Sequence, residues 1–298
     1  MTLRKLAFVA FTCCLTCSGE APASRARVVV TSGHSYSPQP PVLTKDDLTV
    51  TQGSETLPIT NLIPMRGERA RLELFLLVDN CSNCEPGPKF QELRRFIGSQ
   101  PSTTAVGVAY IRDGKLAVLE SPTPDHQLAI RALSLPEGGK PSNPFSAFKE
   151  LIEGWRGKAS RRVVLMISNG IAPGEASESE SASVESAIAA AQRAEVTLYA
   201  IYHPSADYQN TNYSRIDSGQ VQLSHVAAET GGEAYFLGPA PLPSLAPFLA
   251  DISEHLANQY LVEFLAQPGE EDLQAISIKC QRDLDLRAPY KVLVPKTK

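Results

Sequence analysis

The sequence feature that most constrains this chain is a short apolar run that ends in a single carboxylate. The run from Leu72 to Val78 is interrupted only by Glu73, and Asp79 follows it directly. Such a run is typical of a strand buried in a parallel sheet. Ligands of these sheets bind outside the carboxyl ends of the strands, so Asp79 is the first candidate for a functional residue. The competing interpretation is that Asp79 only caps the turn that follows.

Apolar residues at the spacing of one helix face follow this strand. They are Phe90, Leu93, Phe96 and Ile97. Further strands are predicted over residues 104–111, 115–119, 162–167, 196–202 and 233–237, and helices over 125–133, 145–155, 184–191, 223–227 and 245–256. Two polar stretches, residues 173–183 and 203–220, are interpreted as loops. The alternation of strands and helices predicts an α/β domain with a mainly parallel sheet.

Both flanks of this region have the pattern of β-strands rather than that of helices. The candidate strands cover residues 27–31, 48–50 and 57–62 before it, and 260–265, 275–280 and 290–294 after it. We therefore predict an N-terminal β module over residues 24–66, an α/β domain over residues 67–258, and C-terminal strands over residues 259–298 that complete the module.

The N-terminus has the three parts of a secretory signal peptide. Arg4 and Lys5 precede a short apolar stretch, and Ala21-Pro22-Ala23 has the small-x-small form of a cleavage site. We predict a signal peptide over residues 1–23 and an exported mature chain, periplasmic or extracellular, without a membrane span. Lipoprotein anchoring at Cys17 is the alternative, although the residues before Cys17 fit a lipidation box poorly.

Removal of residues 1–23 leaves three cysteines, Cys81, Cys84 and Cys280. In an oxidising compartment Cys81 and Cys84 can close a small disulfide ring, with Cys280 left as a buried thiol. The Cys-x-x-Cys spacing is also found in redox proteins and in halves of metal sites. No second such pair completes a zinc site, and a Pro-Gly-Pro segment separates the pair from the next helix. The structural disulfide is therefore the favoured interpretation.

Charge and motifs argue against several classes of function. The 298 residues have a formal net charge of −4 and no Lys/Arg-rich run, which argues against nucleic-acid binding. The chain has no Gly-x-Ser-x-Gly or His-Glu-x-x-His motif, and no Gly-x-Gly-x-x-Gly follows a strand. His203 stands at a predicted strand end, where a lone histidine is more often a hydrogen-bonding loop residue than a base. We expect no catalytic residues and no enzymatic activity.

Three segments, each unspecific alone, have a characteristic order and spacing. They are Leu43-Thr44-Lys45-Asp46-Asp47-Leu48, Ala227-Ala228-Glu229-Thr230-Gly231-Gly232-Glu233-Ala234 and Gln259-Tyr260-Leu261-Val262. Together they resemble the von Willebrand factor type A (VWA) domain, and in particular the exported VWFA-related proteins of acidobacteria. The resemblance implies a Rossmann-like, doubly wound and mainly parallel sheet flanked by helices, with a small β module built from the N- and C-terminal flanks.

The resemblance also implies the place of a metal-ion-dependent adhesion site (MIDAS). Asp79 matches its first carboxylate, Cys81 and Asn83 stand where two Ser residues are expected, Ser142 replaces a Thr, and Asn169 replaces the second Asp. Magnesium prefers hard oxygen ligands and carboxylate charge. One carboxylate of two is lost and one hydroxyl is replaced by sulfur, so we expect a degenerate site without a metal or other cofactor. Weak Mg²⁺ or Mn²⁺ binding by Asp79, Asn83, Ser142 and Asn169 is the alternative.

A VWA-like fold implies a protein-interaction module for adhesion or scaffolding. Its partner, whose identity the sequence does not give, would bind the loops at the carboxyl ends of the strands. These loops cover residues 80–87, 138–144, 168–174 and 203–220. The alternatives are a cation-dependent adhesion module and, less favoured, a hydrolase or a Cys-x-x-Cys redox protein.

Overall fold

The computed structural model describes residues 23–33, 42–79, 88–112, 115–133, 143–156, 161–172, 177–204, 213–240 and 242–296. The strands are β1 (Ser24–Ser32), β2 (Leu48–Gln52), β3 (Glu55–Leu57), β4 (Ile59–Pro64), β5 (Leu72–Asp79), β6 (Thr104–Arg112), β7 (Lys115–Thr123), β8 (Arg162–Ser168), β9 (Val196–Tyr202), β10 (Ala234–Tyr235), β11 (Gln259–Ala266), β12 (Leu273–Ala275), β13 (Ser277–Cys280), β14 (Leu286–Arg287) and β15 (Lys291–Leu293). The helices are α1 (Pro88–Ser99), α2 (His126–Ala132), α3 (Pro144–Gly154), α4 (Ser177–Ala194), α5 (Tyr213–Glu229) and α6 (Ala246–Ala257), with 3₁₀ turns η1 (Lys45–Asp47) and η2 (Gly67–Ala70).

The central sheet has the order β10-β9-β8-β5-β6-β7. β7 is antiparallel to β6, and the other neighbours are parallel. β5 lies in the middle, where Leu76 pairs with Val108 on one side and Leu165 on the other. This is the doubly wound order. The chain adds β6 and β7 on one side of β5 and then β8, β9 and β10 on the other, so the direction of winding reverses between β5 and β8. The switch point therefore lies at the carboxyl ends of β5 and β8.

Helices cover both faces of the central sheet because successive side chains of a strand point to opposite faces. Leu74 and Leu76 of β5 belong to one apolar core, which includes residues of α1, α2 and α6. Phe75 and Leu77 belong to the other, which includes residues of α3, α4 and α5. The face of α1 predicted from the sequence is buried as well: Phe90, Leu93, Phe96 and Ile97. The predicted α/β, doubly wound fold class is confirmed.

Small antiparallel sheets are formed by the two flanks of the chain. β1 pairs with β11 over all but its last residue, from Ser24 opposite Ala266 to Thr31 opposite Gln259. β4 and β14 complete this sheet, while β13 pairs with β2, and β12 with β15. A third apolar core, with Val30, Val262 and Phe264 among its members, holds these strands together. The flanking β structure was predicted as part of the fold, and the boundaries between the module and the α/β domain stay predictions.

Two segments predicted as loops are largely helical over the residues that the structure describes, so the loop predictions were wrong there. α4 begins at Ser177, inside the predicted loop 173–183. Among the side chains of α4 that the structure describes, Ser181 and Ala182 are exposed, and Val184 is the first that is buried. α5 begins at Tyr213, inside the predicted loop 203–220, of which residues 205–212 lie outside the described part. Its buried positions include Gly219 and Gln220, which conceal the apolar period expected of a helix.

Four predicted strands are shorter or divided, among them 290–294, of which β15 forms residues 291–293. Residues 57–62 form parts of β3 and β4, separated by Pro58, which lacks the backbone N–H that a continuous ladder needs. Residues 275–280 are divided at Ile276 between β12 and β13, which belong to different sheets. In the predicted strand 233–237, only Ala234 and Tyr235 pair with β9, because β10 is an edge strand of the sheet.

Candidate functional site

The polar residues at the switch point are joined by hydrogen bonds. Asp79 ends β5 and Ser168 ends the neighbouring strand β8, and both are buried, with exposed fractions of 9% and 1%. The Ser168 hydroxyl donates to Oδ2 of Asp79 over 2.7 Å. The backbone N–H of Gly170 in turn donates to the Ser168 hydroxyl oxygen over 3.1 Å. The carboxylate at the end of β5 is therefore stabilised by a neutral hydroxyl donor from β8.

The loop after β8 uses the Asn169 side chain to hold its own backbone. Oδ1 of Asn169 accepts the N–H of Ile171 over 2.9 Å. Gly170 has a φ of +68°, a conformation that residues with a Cβ rarely adopt. The loop packs against α5 so closely that a Cβ on Gly170 would lie 2.3 Å from the carbonyl oxygen of Gly219. The amide oxygen of Asn169 is thus engaged within the loop.

The structure brings two of the predicted site residues to the same edge of the sheet. Asp79 lies at the end of β5, and Asn169 follows Ser168 at the end of β8. The predicted positions Cys81, Asn83 and Ser142 lie outside the described residues, as does Cys84 of the predicted disulfide. Cys280, in β13, is a half-buried free thiol.

The predicted binding loop 138–144 has described residues only at its end, where Asn143 caps α3. Oδ1 of Asn143 accepts the N–H groups of Phe145 and Ser146 over 3.0 and 3.1 Å. Its Nδ2 donates to Oγ of Ser183 in α4 over 3.0 Å. The start of α3 is therefore tied to α4.

His203 follows β9 and lies at the same edge of the sheet. Its backbone N–H donates to the carbonyl oxygen of Ser168 over 2.9 Å, and its Nδ1 lies 3.0 Å from the carbonyl oxygen of Pro204. Burial, with a smaller contribution from Lys89, lowers the pKa of His203 to about 4. The imidazole is therefore neutral at pH 7 and bonds the loop backbone, the role expected from the sequence.

A second polar cluster, which we call the Tyr235 cluster, was not predicted from the sequence. Its members are Glu233, Tyr235, Asp251, His255 and Arg287. The Tyr235 hydroxyl donates to Oδ2 of Asp251 over 2.6 Å and lies 3.2 Å from Glu233 and 3.3 Å from Nδ1 of His255. Burial and the hydrogen bond with Asp251 raise the pKa of Tyr235. The one sequence signal was the four-residue spacing of Asp251 and His255 on α6.

The Tyr235 cluster has metal-binding residue types but not the proton arrangement of a metal site. Glu233, Asp251 and His255 offer ligand atoms within 4.8 Å of one another. However, Nη1 of Arg287 donates to Nε2 of His255 over 3.1 Å, so in the neutral ring Nδ1 must carry the proton and cannot bind a metal. A second guanidinium nitrogen of Arg287 lies 3.1 Å from Glu233. The cluster is therefore a hydrogen-bonded junction between β10, α6 and β14.

No protein-family model and no curated protein matches this chain. Among solved structures, it is similar to a von Willebrand factor type A protein from Catenulispora acidiphila, with 10% identity over 93% of this chain and 75% of the other, and a TM-score of 0.43. It is also similar to an aerotolerance-related membrane protein from Bacteroides fragilis NCTC 9343 carrying multiple mutations to serine, with 13% identity over 62% of this chain and 98% of the other, and a TM-score of 0.41.

A third similar structure contains three N-terminal domains of the type V pili tip protein Mfa5 from Porphyromonas gingivalis. The identity is 10% over 51% of this chain and 27% of the other, with a TM-score of 0.29. Among the described residues, no helix is long and apolar enough to cross a membrane. At such low TM-scores the fold is assigned from the strand order and register of the chain itself. In that order and register the chain has a Rossmann-like, doubly wound fold, which is the fold class that its sequence resemblance implied.

Proposed function

We propose that this chain is an exported protein-interaction module, for adhesion or scaffolding, with a degenerate MIDAS. The partner would bind the edge of the central sheet where β5, β8 and β9 end. A VWA-like fold supports an interaction module in general, and the polar residues at this edge support the more specific assignment. The module would act without a metal ion and without enzymatic activity.

The observation that supports a degenerate site most directly is the hydrogen bonding of Asn169. Its Oδ1, at the place of the second carboxylate, accepts the N–H of Ile171. An amide oxygen has no formal charge, and Mg²⁺ sites depend on carboxylates and other hard oxygen ligands. The loss of one formal charge beside a dication costs on the order of a few kcal/mol in a partly solvated site. Asp79 supplies the remaining carboxylate and has the Ser168 hydroxyl as a donor.

An exposed aromatic residue near this edge fits a protein partner. α5 follows β9 in the chain, and its first residue, Tyr213, is 73% exposed. Tyrosine is enriched at protein interfaces because it combines a large apolar ring with a polar hydroxyl. A metal-independent module would bind by shape, hydrogen bonds and such rings, rather than by a cation that a partner carboxylate completes.

The proposal predicts partner capture that depends on this edge and not on divalent cations. The mature chain, immobilised, should retain the same protein from the exported fraction of the producing cells in EDTA as in millimolar Mg²⁺. Tyr213→Ala should reduce the retained amount by at least about tenfold, a loss of about 1.4 kcal/mol. Tyr290→Ala is the matched control, since Tyr290 is also exposed but its N–H bonds Glu229 at the far end of α5.

Thermal melts decide between the degenerate and the cation-dependent forms of this function. A cation that binds only the folded state, and is present at a concentration of a hundred times its Kd, adds about 2.7 kcal/mol to the free energy of unfolding. We expect the same Tm for the natural chain in EDTA, Mg²⁺ and Mn²⁺, and an ion-dependent rise for Asn169→Asp, which restores the second carboxylate. A saturable rise in the natural chain that Asp79→Ala abolishes would show instead that the cation-dependent alternative is correct.

A further inference from the structure

A large cavity opens at the edge of the central sheet opposite Asp79. It has a volume of about 910 Å³ and lies between η2, the end of α1 and the end of α6, beside the first residue of β5, Leu72. Because β5 has eight residues, the cavity and the Asp79 edge are about 23 Å apart. The volume lies in the range of roughly 300–1,000 Å³ that small-molecule sites occupy.

The cavity contains one buried positive charge, the guanidinium of Arg161. This residue lines the cavity and is 4% exposed. Its Nη1 donates to the carbonyl oxygen of Leu256 and to Oε1 of Gln259, each over 2.8 Å. Its Nη2 donates to the carbonyl oxygen of Ala70. All of these acceptors are neutral.

Part of the hydrogen-bonding capacity of Arg161 has no acceptor in the described part of the chain. A guanidinium has five N–H groups, and Nε of Arg161 is buried without a hydrogen-bond partner there. The carboxylate-bearing residue among those lining the cavity, Glu68, is exposed. No ion pair with Arg161 is formed by the described residues. Within the described ranges, the buried charge is therefore balanced by carbonyl and amide dipoles.

Burial of a charge without a counter-ion is costly, and it shows in the ionisation of this residue. Burial lowers the pKa of Arg161 to about 10, against a smaller opposing effect of Tyr199. The Leu256 carbonyl belongs to the last turn of α6, whose dipole offsets a part of the cost. A bound anion would offset more, because an opposite formal charge attracts the guanidinium more strongly than a carbonyl dipole does.

We propose that this cavity binds a small carboxylic acid with an apolar body. Its carboxylate would accept from the N–H group of Nη2 that is left beside the bond to Ala70, in a charge-assisted hydrogen bond. Its apolar body would lie against Met65, Leu72 and Leu256, which line the same cavity and are buried. Arg66, the other arginine of the lining, is exposed, so one buried guanidinium faces the ligand and suits one negative charge. The apolar lining favours a hydrocarbon body over a sugar phosphate.

Octanoate and octanamide provide the test, because they have the same body and differ in charge. Titration calorimetry on the mature chain should show saturable binding of octanoate, with a matching rise in Tm. Octanamide should bind at least about tenfold more weakly. Equal binding of the two probes, or no saturable octanoate binding up to about 10 mM (a limit of about 2.7 kcal/mol), would overturn the proposal.

Two variants separate the charge from the cavity space. Arg161→Met should abolish the preference for octanoate over octanamide. Arg161 also donates hydrogen bonds to three protein acceptors, so the Arg161→Met variant loses structural contacts as well as the charge. If Arg161→Met does not fold, Ala257→Trp is the variant that tests the site. Ala257 is an exposed residue of α6 that lines the cavity, and a Trp side chain there should reduce octanoate affinity at least about tenfold.

The matched control is Ala250→Trp, on an exposed position of α6 that does not line the cavity. It should bind octanoate as the natural chain does. Octanoate binding that is unchanged in Ala257→Trp would place the ligand elsewhere and refute the proposed site. None of these residues belongs to the Asp79 edge, so the result is independent of the proposed interaction function.

Discussion

At the scale of single residues, the loop after β8 depends on the absence of a side chain at Gly170. Its φ of +68° is one restriction, and the Gly219 carbonyl oxygen, 2.3 Å from where a Cβ would lie, is another. Gly53 has a similar φ of +59° but open space around it. Substitutions at Gly53 and Gly170 therefore separate the cost of the backbone conformation from the cost of close packing.

We predict that Gly53→Ala lowers the free energy of unfolding by about 1–2 kcal/mol, the cost of a left-handed conformation with a Cβ. Gly170→Ala should cost about 1–3 kcal/mol more, since α5 or the loop must also move. Urea denaturation of both variants measures the difference. Equal losses would mean that the approach of the loop to Gly219 is not rigid.

At the scale of elements, the Tyr235 cluster joins parts of the chain that are remote in sequence. Tyr235 lies in β10, Asp251 and His255 lie in α6, and Arg287 lies in β14 of the flanking sheet. The imidazole of His255 also stacks on Tyr199 of β9, with ring centroids 5.9 Å apart. The hydroxyl of Tyr235 is the common partner of the acidic groups and the histidine.

Tyr235→Phe keeps the ring and removes this common partner. We expect the free energy of unfolding to fall by about 1–3 kcal/mol, because the groups around the hydroxyl lose a hydrogen-bond partner in a mostly buried place. Tyr213→Phe, at a position that is 73% exposed, should change it by less than about 0.5 kcal/mol. A loss in Tyr213→Phe as large as in Tyr235→Phe would refute the junction role of the cluster. Thermal and urea melts of both variants provide the comparison.

At the scale of the whole molecule, His203 should make stability depend on pH. Its pKa is lowered to about 4 in the folded chain, from the ordinary histidine value of 6.5. As the pH falls below about 6.5, the unfolded chain binds a proton before the folded chain does. The contribution of His203 is thus fully present above about pH 6.5 and is lost progressively as the pH falls towards about 4.

We predict that His203→Gln removes on the order of 2–3 kcal/mol of the stability difference between pH 7 and pH 4. His225→Gln is the control, because the side chain of His225 is 46% exposed and bonds Glu185 at the surface. Urea melts at several pH values give the slope of the free energy of unfolding against pH for each variant. A slope for His203→Gln that equals the natural one would show that the imidazole is not held neutral by burial.

The sequence predicted the central elements well where the apolar pattern was complete. β5, β8 and β9 have nearly continuous apolar runs, and α1 has a full apolar face, so their positions followed from periodicity. It was wrong over the first turns of α4 and α5. The described side chains there are mostly exposed, and the buried positions of α5 include Gly219 and Gln220 beside Ile216, so no apolar period marks the start of either helix.

The sequence by itself determined the α/β class, the flanking strands and Asp79 at the end of a central strand. These follow from the period of apolar residues, which is a local property of the chain. Tertiary structure alone decided that Ser168 donates to Asp79, that His255 meets both Tyr235 and Arg287, and that Arg161 is buried beside a cavity. Each of these contacts joins residues far apart in the chain, and its existence depends on strand order and register, which no local pattern encodes.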